Sequence, residues 1–337
     1  MSSKENVSTE GPFLHLSDLH IGRDHAFRLP KRSASIDKPY TLAEVVARDL
    51  GHLGIKYLAG IVVSGDLTTY AQWNDYYEDV LACLRALCSQ LGVKNSSVYI
   101  VPGNHDYDWY EEISPSVYER VPAQSVATTY AHEIHFQHLL DEFYEQPSKD
   151  RLEKIHVHRL SKITVKLKLL DSCKLCPTRF HEYGFVENFQ LDQIPKLMDL
   201  TDDTQDIRVL VLHHHVSTVI PMEEGHGGKG VSVTLNAGEI LDRASRAGVS
   251  VILHGHHHYP NITTLRRTYE EDGEFKQSRT QLHIISGGST GTSRIGGLVT
   301  NCYGILAFEE KKLDVRVRRI RPSGDPFGDL LRTQLEL

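Results

Sequence analysis

Short apolar runs that stop at carboxylate, amide or imidazole side chains recur along this chain. Phe13 to Leu16 delivers Ser17, Asp18, Leu19 and His20, and Leu58 to Val63 ends in Ser64, Gly65 and Asp66. Val98 to Val101 is crowded with β-branched and aromatic residues, which suit a buried strand. Pro102 and Gly103 then turn the chain into Asn104, His105 and Asp106. Val209 to Leu212 is followed by His213, His214 and His215, and Val249 to Leu253 by His254, Gly255, His256, His257 and His258. These runs read as strands. Between the first three the period becomes helical. Thr41-Leu-Ala-Glu44 is a capping box opening an amphipathic helix to about Leu53, and Val80, Leu84, Leu87, Cys88 and Leu91 share one face of another. The alternation predicts parallel strands joined by helical crossovers.

The remaining pattern is less regular. Ala131 to Tyr144 has a helical period, with His132, His135 and His138 on one face that reads as solvated. Thr164 to Leu170 alternates with lysines and suggests a strand near a sheet edge. Pro195 interrupts a helical period over Leu191 to Leu200, so that helix is short or kinked. Asn236-Ala-Gly-Glu239 is a second capping box, opening a helix to Ala247. Leu282 to Ile285 leads into a small-residue loop, Ser286 to Gly291, and a glycine-rich loop spans Gly225 to Gly230. Tyr303 to Phe308 and Leu313 to Ile320 read as paired antiparallel strands. With no linker and no repeat, one domain over residues 11–321 is expected, with 1–10 and 322–337 as tails.

Composition narrows the class. Over 337 residues, 40% hydrophobic and 24% charged describe an ordinary globular chain that can bury a sizeable core. A net charge of -7 argues against a protein that binds nucleic acid over its whole surface. The start lacks an apolar signal-peptide core, and no apolar run approaches the roughly 18 residues of a membrane span. A cytoplasmic protein with no membrane partner is expected. Five cysteines make an odd set rather than a disulfide framework, and Cys173-x-x-Cys176 reads as reduced thiols. The informative excess is histidine, 20 residues, many of them clustered at the run ends.

Ligands of open α/β sheets sit beyond the carboxyl ends of the strands. Here those ends carry carboxylates, imidazoles and an amide, more donors than one divalent ion needs. Nitrogen and oxygen donors without thiolate suit Mn²⁺ or Fe²⁺, with Zn²⁺ and Ni²⁺ also admissible, and two such ions sharing a carboxylate would use the whole set.

D-x-H at Asp18 and His20, G-D at Gly65-Asp66, G-N-H-D at Gly103 to Asp106, a histidine after a strand and G-H-x-H at Gly255 to His258, in this order, resemble the calcineurin-like metallophosphoesterase family. The resemblance implies an α/β fold of two facing mixed β-sheets flanked by helices, with a dinuclear metal site at the strand ends. It implies that Asp18, His20 and His258 hold one divalent ion and that Asp66 bridges. Asn104, His256 and a histidine of 213–215 would hold the other ion. The family places that histidine two before a proline. Val216 stands in the proline position, which selects His214, with His213 as the rival. His105 would protonate the leaving group, and Asp106 would orient it or cap the turn.

Gly65-Asp66 lacks the continuation of the serine/threonine phosphatases, and Tyr70 stands four rather than three residues after Asp66, unlike the purple acid phosphatases. The nearest resemblance is to small cytoplasmic phosphodiesterases, similar to class III cyclic nucleotide phosphodiesterases, acting on a small phosphoester or nucleotide. A repair-type DNA nuclease is the alternative, resting on Arg316, Arg318, Arg319 and Arg321. Nucleic acid is therefore an admissible but disfavoured partner. A non-catalytic scaffold of the same fold would lack ligands, whereas every ligand position here is filled. Backbone and hydroxyl donors of the two loops, with few cationic side chains nearby, favour a diester over a monoester.

Overall fold

The computed structural model describes residues 11–71, 76–107, 126–147, 149–176, 182–198, 206–219, 233–271, 273–277, 281–293, 300–325 and 328–337. Two six-stranded sheets form its frame. In the first, β1 (Phe13–Leu16), β2 (Gly60–Ser64) and β3 (Val98–Val101) are parallel neighbours. The second is built around β5 (Thr164–Leu169), β6 (Asp206–Val211), β7 (Val251–His254) and β11 (Leu282–Gly287), also parallel. Antiparallel strands β4 (Ile155–Arg159) and β8 (Pro260–Leu265) close its two edges, while β9 (Thr268–Glu271) and β10 (Glu274–Gln277) pair as a separate hairpin. The fold is an α/β sandwich of two mixed sheets flanked by helices, as the motif order implies.

Why the apolar runs are continuous rather than alternating follows from this layering. Successive strand residues point to opposite faces, and both faces of these strands are covered. Phe13, Val62, Tyr99 and Val101 point between the sheets, where they meet Val165, Leu167, Val209, Val211, Val251 and Leu253. Leu14, Leu16, Ile61, Val63 and Ile100 pack outward against α1 (Leu42–His52), α2 (Leu81–Leu91) and α3 (Val126–Tyr144). On the other side Leu210, Leu212, Ile252 and Ile284 pack against α4 (Ala237–Arg246).

Local signals acted mostly as expected. Thr41 and Glu44 form the reciprocal capping box that starts α1. Pro195 sits in a short 3-10 turn, 194–197, after a single helical turn at 188–191. At α4 the second capping box does not form: Asn236 instead exchanges side-chain hydrogen bonds with the backbone of Val186, tying the helix start to the preceding loop. The five cysteines are buried free thiols. No helix among the described residues is long and apolar enough to cross a membrane.

One expectation about the chain's end needs correction. The segment after Pro322, expected as a tail, supplies β14 (Asp329–Glu336), the edge strand beside β13 (Lys312–Arg319), which in turn pairs β12 (Cys302–Glu309) next to β1. Its alternating pattern buries only half a face, so it lacks the apolar run that marks the central strands. By contrast β5 lies next to the edge strand β4, near the sheet edge as expected, with Lys166 and Lys168 fully buried. Lys168 Nζ donates to the carbonyls of Leu152 and Glu153, at the end of the short helix 149–153, and Lys166 pairs with Asp206.

The arginines of β13 are placed unequally, Arg316 and Arg319 half-buried and Arg318 buried. Arg318 is buried, 6% exposed, and bonded to Asp49 Oδ2 at 2.8 Å and to Asp329. Tyr303 OH donates to the same Asp49 oxygen at 2.7 Å. This network joins β12, β13 and α1. Removing one member of a buried charge pair strands the other, so Asp49→Ala should destabilise folding by about 3–5 kcal/mol. Urea unfolding of the two proteins measures it, and a loss below about 1 kcal/mol would mean that Arg318 finds water.

Candidate metal centre

The parallel strands of both sheets present their carboxyl ends together, and the predicted residues converge there. Asp18, His20, Asp66 and His258 bring donor atoms within 4.8 Å of one another. His20 Nε2 lies 3.0 Å from His258 Nε2, and His258 Nε2 lies 3.2 Å from Asp18 Oδ1. A second group adjoins it. Asn104 Oδ1 is 3.1 Å from both His213 Nε2 and His256 Nδ1, and those two nitrogens are 3.3 Å apart. Asp66 stands between the groups: Oδ2 is 3.7 Å from His20 Nε2, and Oδ1 is 3.4 Å from His213 Nε2.

His213, rather than the expected His214, enters this second group. Its Nδ1–H donates to the carbonyl of Ser64 at 2.8 Å, which can only accept, so the Nε2 lone pair faces Asn104 and Asp66. Gly65 permits that placement, because a β-carbon there would collide with the His213 ring. His214 is held through one nitrogen: its Nδ1 pairs with Ser172 Oγ at 2.9 Å, its buried Nε2 has no hydrogen-bond partner among the described residues, and its ring rests against His256. This geometry favours His213, the rival, over His214 as the candidate ligand, since β6 hands over to the site directly after Leu212. His213→Ala should therefore lower metal content, and His214→Ala should lower it less. Elemental analysis of the purified proteins decides between them, and the reverse order would restore His214.

Asp106 takes up the turn-capping task, one of the two the sequence admits. Its carboxylate accepts the N–H groups of Gly103 at 2.8 Å and of Leu67 and Thr68 at 3.1 Å each. It thus staples the turn carrying Asn104 to the turn carrying Asp66. Burial and then the neighbouring charge of Asp66 push its pKa up to about 7, while the three N–H donors pull it down. The His105 ring is held by Thr69, whose carbonyl accepts from Nδ1–H at 2.9 Å. The backbone N–H of His105 donates to Asp66 Oδ1 at 2.9 Å.

Strain concentrates here too. Asp18 (φ 52°), His20 (42°), Asp66 (53°), His256 (75°) and His258 (56°) all occupy the left-handed region, at an order of 1–3 kcal/mol each. No sequence signal marks these non-glycine positions. Such strain persists where the surroundings over-determine the conformation, and here it aims five candidate ligands inward.

The Ser286–Gly291 loop, expected to offer donors to a ligand, spends them on the site itself. Thr290 N and Gly291 N donate to the carbonyls of Ser17 and Asp18, and Ser289 Oγ also donates to Asp18 O. Ser17 Oγ donates to Asp18 Oδ2 at 2.5 Å. The Gly225–Gly230 loop lies outside the described residues, as do Lys229, Arg294 and the side chain of His132.

The donor set fits divalent cations. Asp18 and Asp66 are buried carboxylates, and the cationic groups facing them at the site are imidazoles. Burial opposes their ionisation, but His258 outweighs it at Asp18, and His213 and His105 outweigh it at Asp66. Conversely burial disfavours a charged His213, yet Asp66 and Asp18 lift it to about 9. Burial takes His20 down to about 3, leaving it a neutral donor. A bound cation would replace these protons as the balancing charge. Neighbouring ligand atoms on an ion with bonds of about 2.0–2.1 Å lie about 3.0–3.4 Å apart, the spacing of both imidazole pairs.

No curated protein sequence matches the chain. Among solved structures, a purple acid phosphatase from yellow lupin (Lupinus luteus) seeds superimposes with a TM-score of 0.51 at 13% identity, over 97% of this chain and 53% of that one. This chain thus spans about half the length of that phosphatase. Weaker likenesses are phosphopantetheinyl hydrolase from Mycobacterium tuberculosis (TM-score 0.43, 16% identity, 84% of this chain and 91% of that one) and GAP50 of Plasmodium (0.45, 11%, 97% and 88%). The family profile described as calcineurin-like phosphoesterase matches residues 11–260. Together with the carboxylate–imidazole cluster this supports metal-dependent phosphoester hydrolysis in general, and the chain belongs to the calcineurin-like phosphoesterase family.

Proposed function

We propose that this chain hydrolyses a phosphodiester of nucleotide type with a dinuclear centre. Asp18, His20 and His258 hold one divalent ion, Asn104, His213 and His256 the other, and Asp66 bridges them. The observation that carries the reading is the placement of Asp66, whose two oxygens face two separate donor groups. Divalent cations held there, Mn²⁺ or Fe²⁺ in preference to Zn²⁺ or Ni²⁺, supply charge that lowers the pKa of water towards neutrality and offsets charge growing on the phosphate. The protein contributes geometry. Asp106 and the Ser289–Gly291 backbone lock the turns that carry the ligands. His105, with its first proton committed to Thr69, can carry a second at Nε2 and deliver it to the leaving alkoxide.

The substrate class rests on charge. The side chains that make up the two donor groups include no lysine or arginine, and Arg23 after His20 is exposed. A monoester dianion rewards fixed cations, and a diester carries a single charge. The nuclease alternative loses one of its four arginines, because Arg318 is buried against Asp49 rather than displayed. Where the purple acid phosphatases place a tyrosine, three after the bridging aspartate, Thr69 donates its hydroxyl to the carbonyl of His20. The test is kcat/KM for a monoester and a diester sharing leaving group and metal. The diester should win by tenfold or more, and a tenfold preference for the monoester would leave a general metallophosphatase.

A further inference from the structure

Two histidines flank the candidate centre without entering it. His215 follows β6, and His257 lies between His256 and His258. Their Nε2 atoms are 3.2 Å apart, with ring planes at 67° and centroids at 4.1 Å. An end-on N–H···N hydrogen bond between two imidazoles would hold the centroids more than about 5 Å apart. These nitrogens therefore lie side by side, aimed towards a common flank.

The same spacing occurs twice within the centre itself, at His20 and His258 (3.0 Å) and at His213 and His256 (3.3 Å). It is also the spacing of two imidazoles on one ion with bonds of about 2.0–2.1 Å. His215 is buried, 1% exposed, and its Nδ1 has no hydrogen-bond partner among the described residues. His257 is half-buried, so the pair is reachable from solvent. Of the centre's own residues His256 lies beside the pair, its ring near parallel to that of His215 with centroids 6.2 Å apart and 5.6 Å from that of His257.

We propose that His215 and His257 bind a further, exchangeable divalent cation of the borderline type that imidazole prefers, Zn²⁺ or Ni²⁺, on the flank of the candidate centre. Two protein donors leave the remaining positions to water or to an anionic oxygen, so this ion is held more weakly than ions in the centre. Occupied, the site adds positive charge beside two donor groups whose own side chains include no lysine or arginine. It does not depend on the paired-ion reading.

The test titrates the full-length chain with Zn²⁺ at neutral pH, by equilibrium dialysis and elemental analysis. Wild type is expected to take up one Zn²⁺ per chain more than His257→Asn or His215→Gln, with circular dichroism showing that the variants are folded. Asp66→Asn is expected to lose tightly held metal yet keep this extra equivalent, which separates the two sites. Equal uptake by wild type and either folded variant overturns the proposal. Should neither variant fold, Zn K-edge absorption of the extra equivalent on wild type decides: two imidazole ligands support it, and fewer overturn it.

Discussion

Asp66→Asn is expected to strip both ions from the protein and to abolish turnover, whereas Asn104→Ala should lose mainly one. The substitution keeps the shape of the side chain and removes its charge. In the native arrangement Oδ1 faces His213 and Oδ2 faces His20, while His105 N–H holds Oδ1 in place. An amide offers one oxygen in place of two, and its NH₂ group would point a donor at a second donor group. Losing even an indirect support of a metal site costs about 10–100-fold in affinity, so losing the shared ligand should exceed that for each ion. Metal analysis after gel filtration reads the result. A folded Asp66→Asn protein retaining two metals per chain would remove Asp66 from the bridging position.

His105→Ala should keep fold and metals and lose about 10²–10⁴-fold in kcat, the scale of a general acid. The ring hydrogen-bonds the Thr69 carbonyl and is partly exposed, and its removal leaves the backbone N–H to Asp66 intact. The loss should shrink for a nitrophenyl ester, whose leaving group departs without a proton. Equal losses for good and poor leaving groups would instead assign His105 to phosphate positioning or charge stabilisation.

Most of the candidate site could be read from strand ends. A buried strand needs an apolar run, and a polar side chain directly after it is costly unless paired, so Asp18, Asp66 and Asn104 announce themselves. His214 shows the resolution of that reading. Neighbouring residues at a strand end point in different directions, and only the Ser64 carbonyl and the space at Gly65 select His213. Asp106 shows a choice left open: a carboxylate beside a histidine suits an orienting pair or a turn cap, and three backbone N–H groups from two separate turns supply the cap.

Local pattern determined the strands of the core, the capping box of α1, the parallel order of β1 to β3 and the identity of nearly every candidate ligand. These depend on side-chain polarity, period and backbone preference, which act over a few residues. Tertiary structure alone decided the burial of Lys166, Lys168 and Arg318, the recruitment of β14, the choice of His213 and the left-handed backbone at five candidate ligands. Each is a contact between segments far apart in the chain. The free energy that compensates a buried charge or a strained φ resides in the partner, so one segment read alone carries no trace of it.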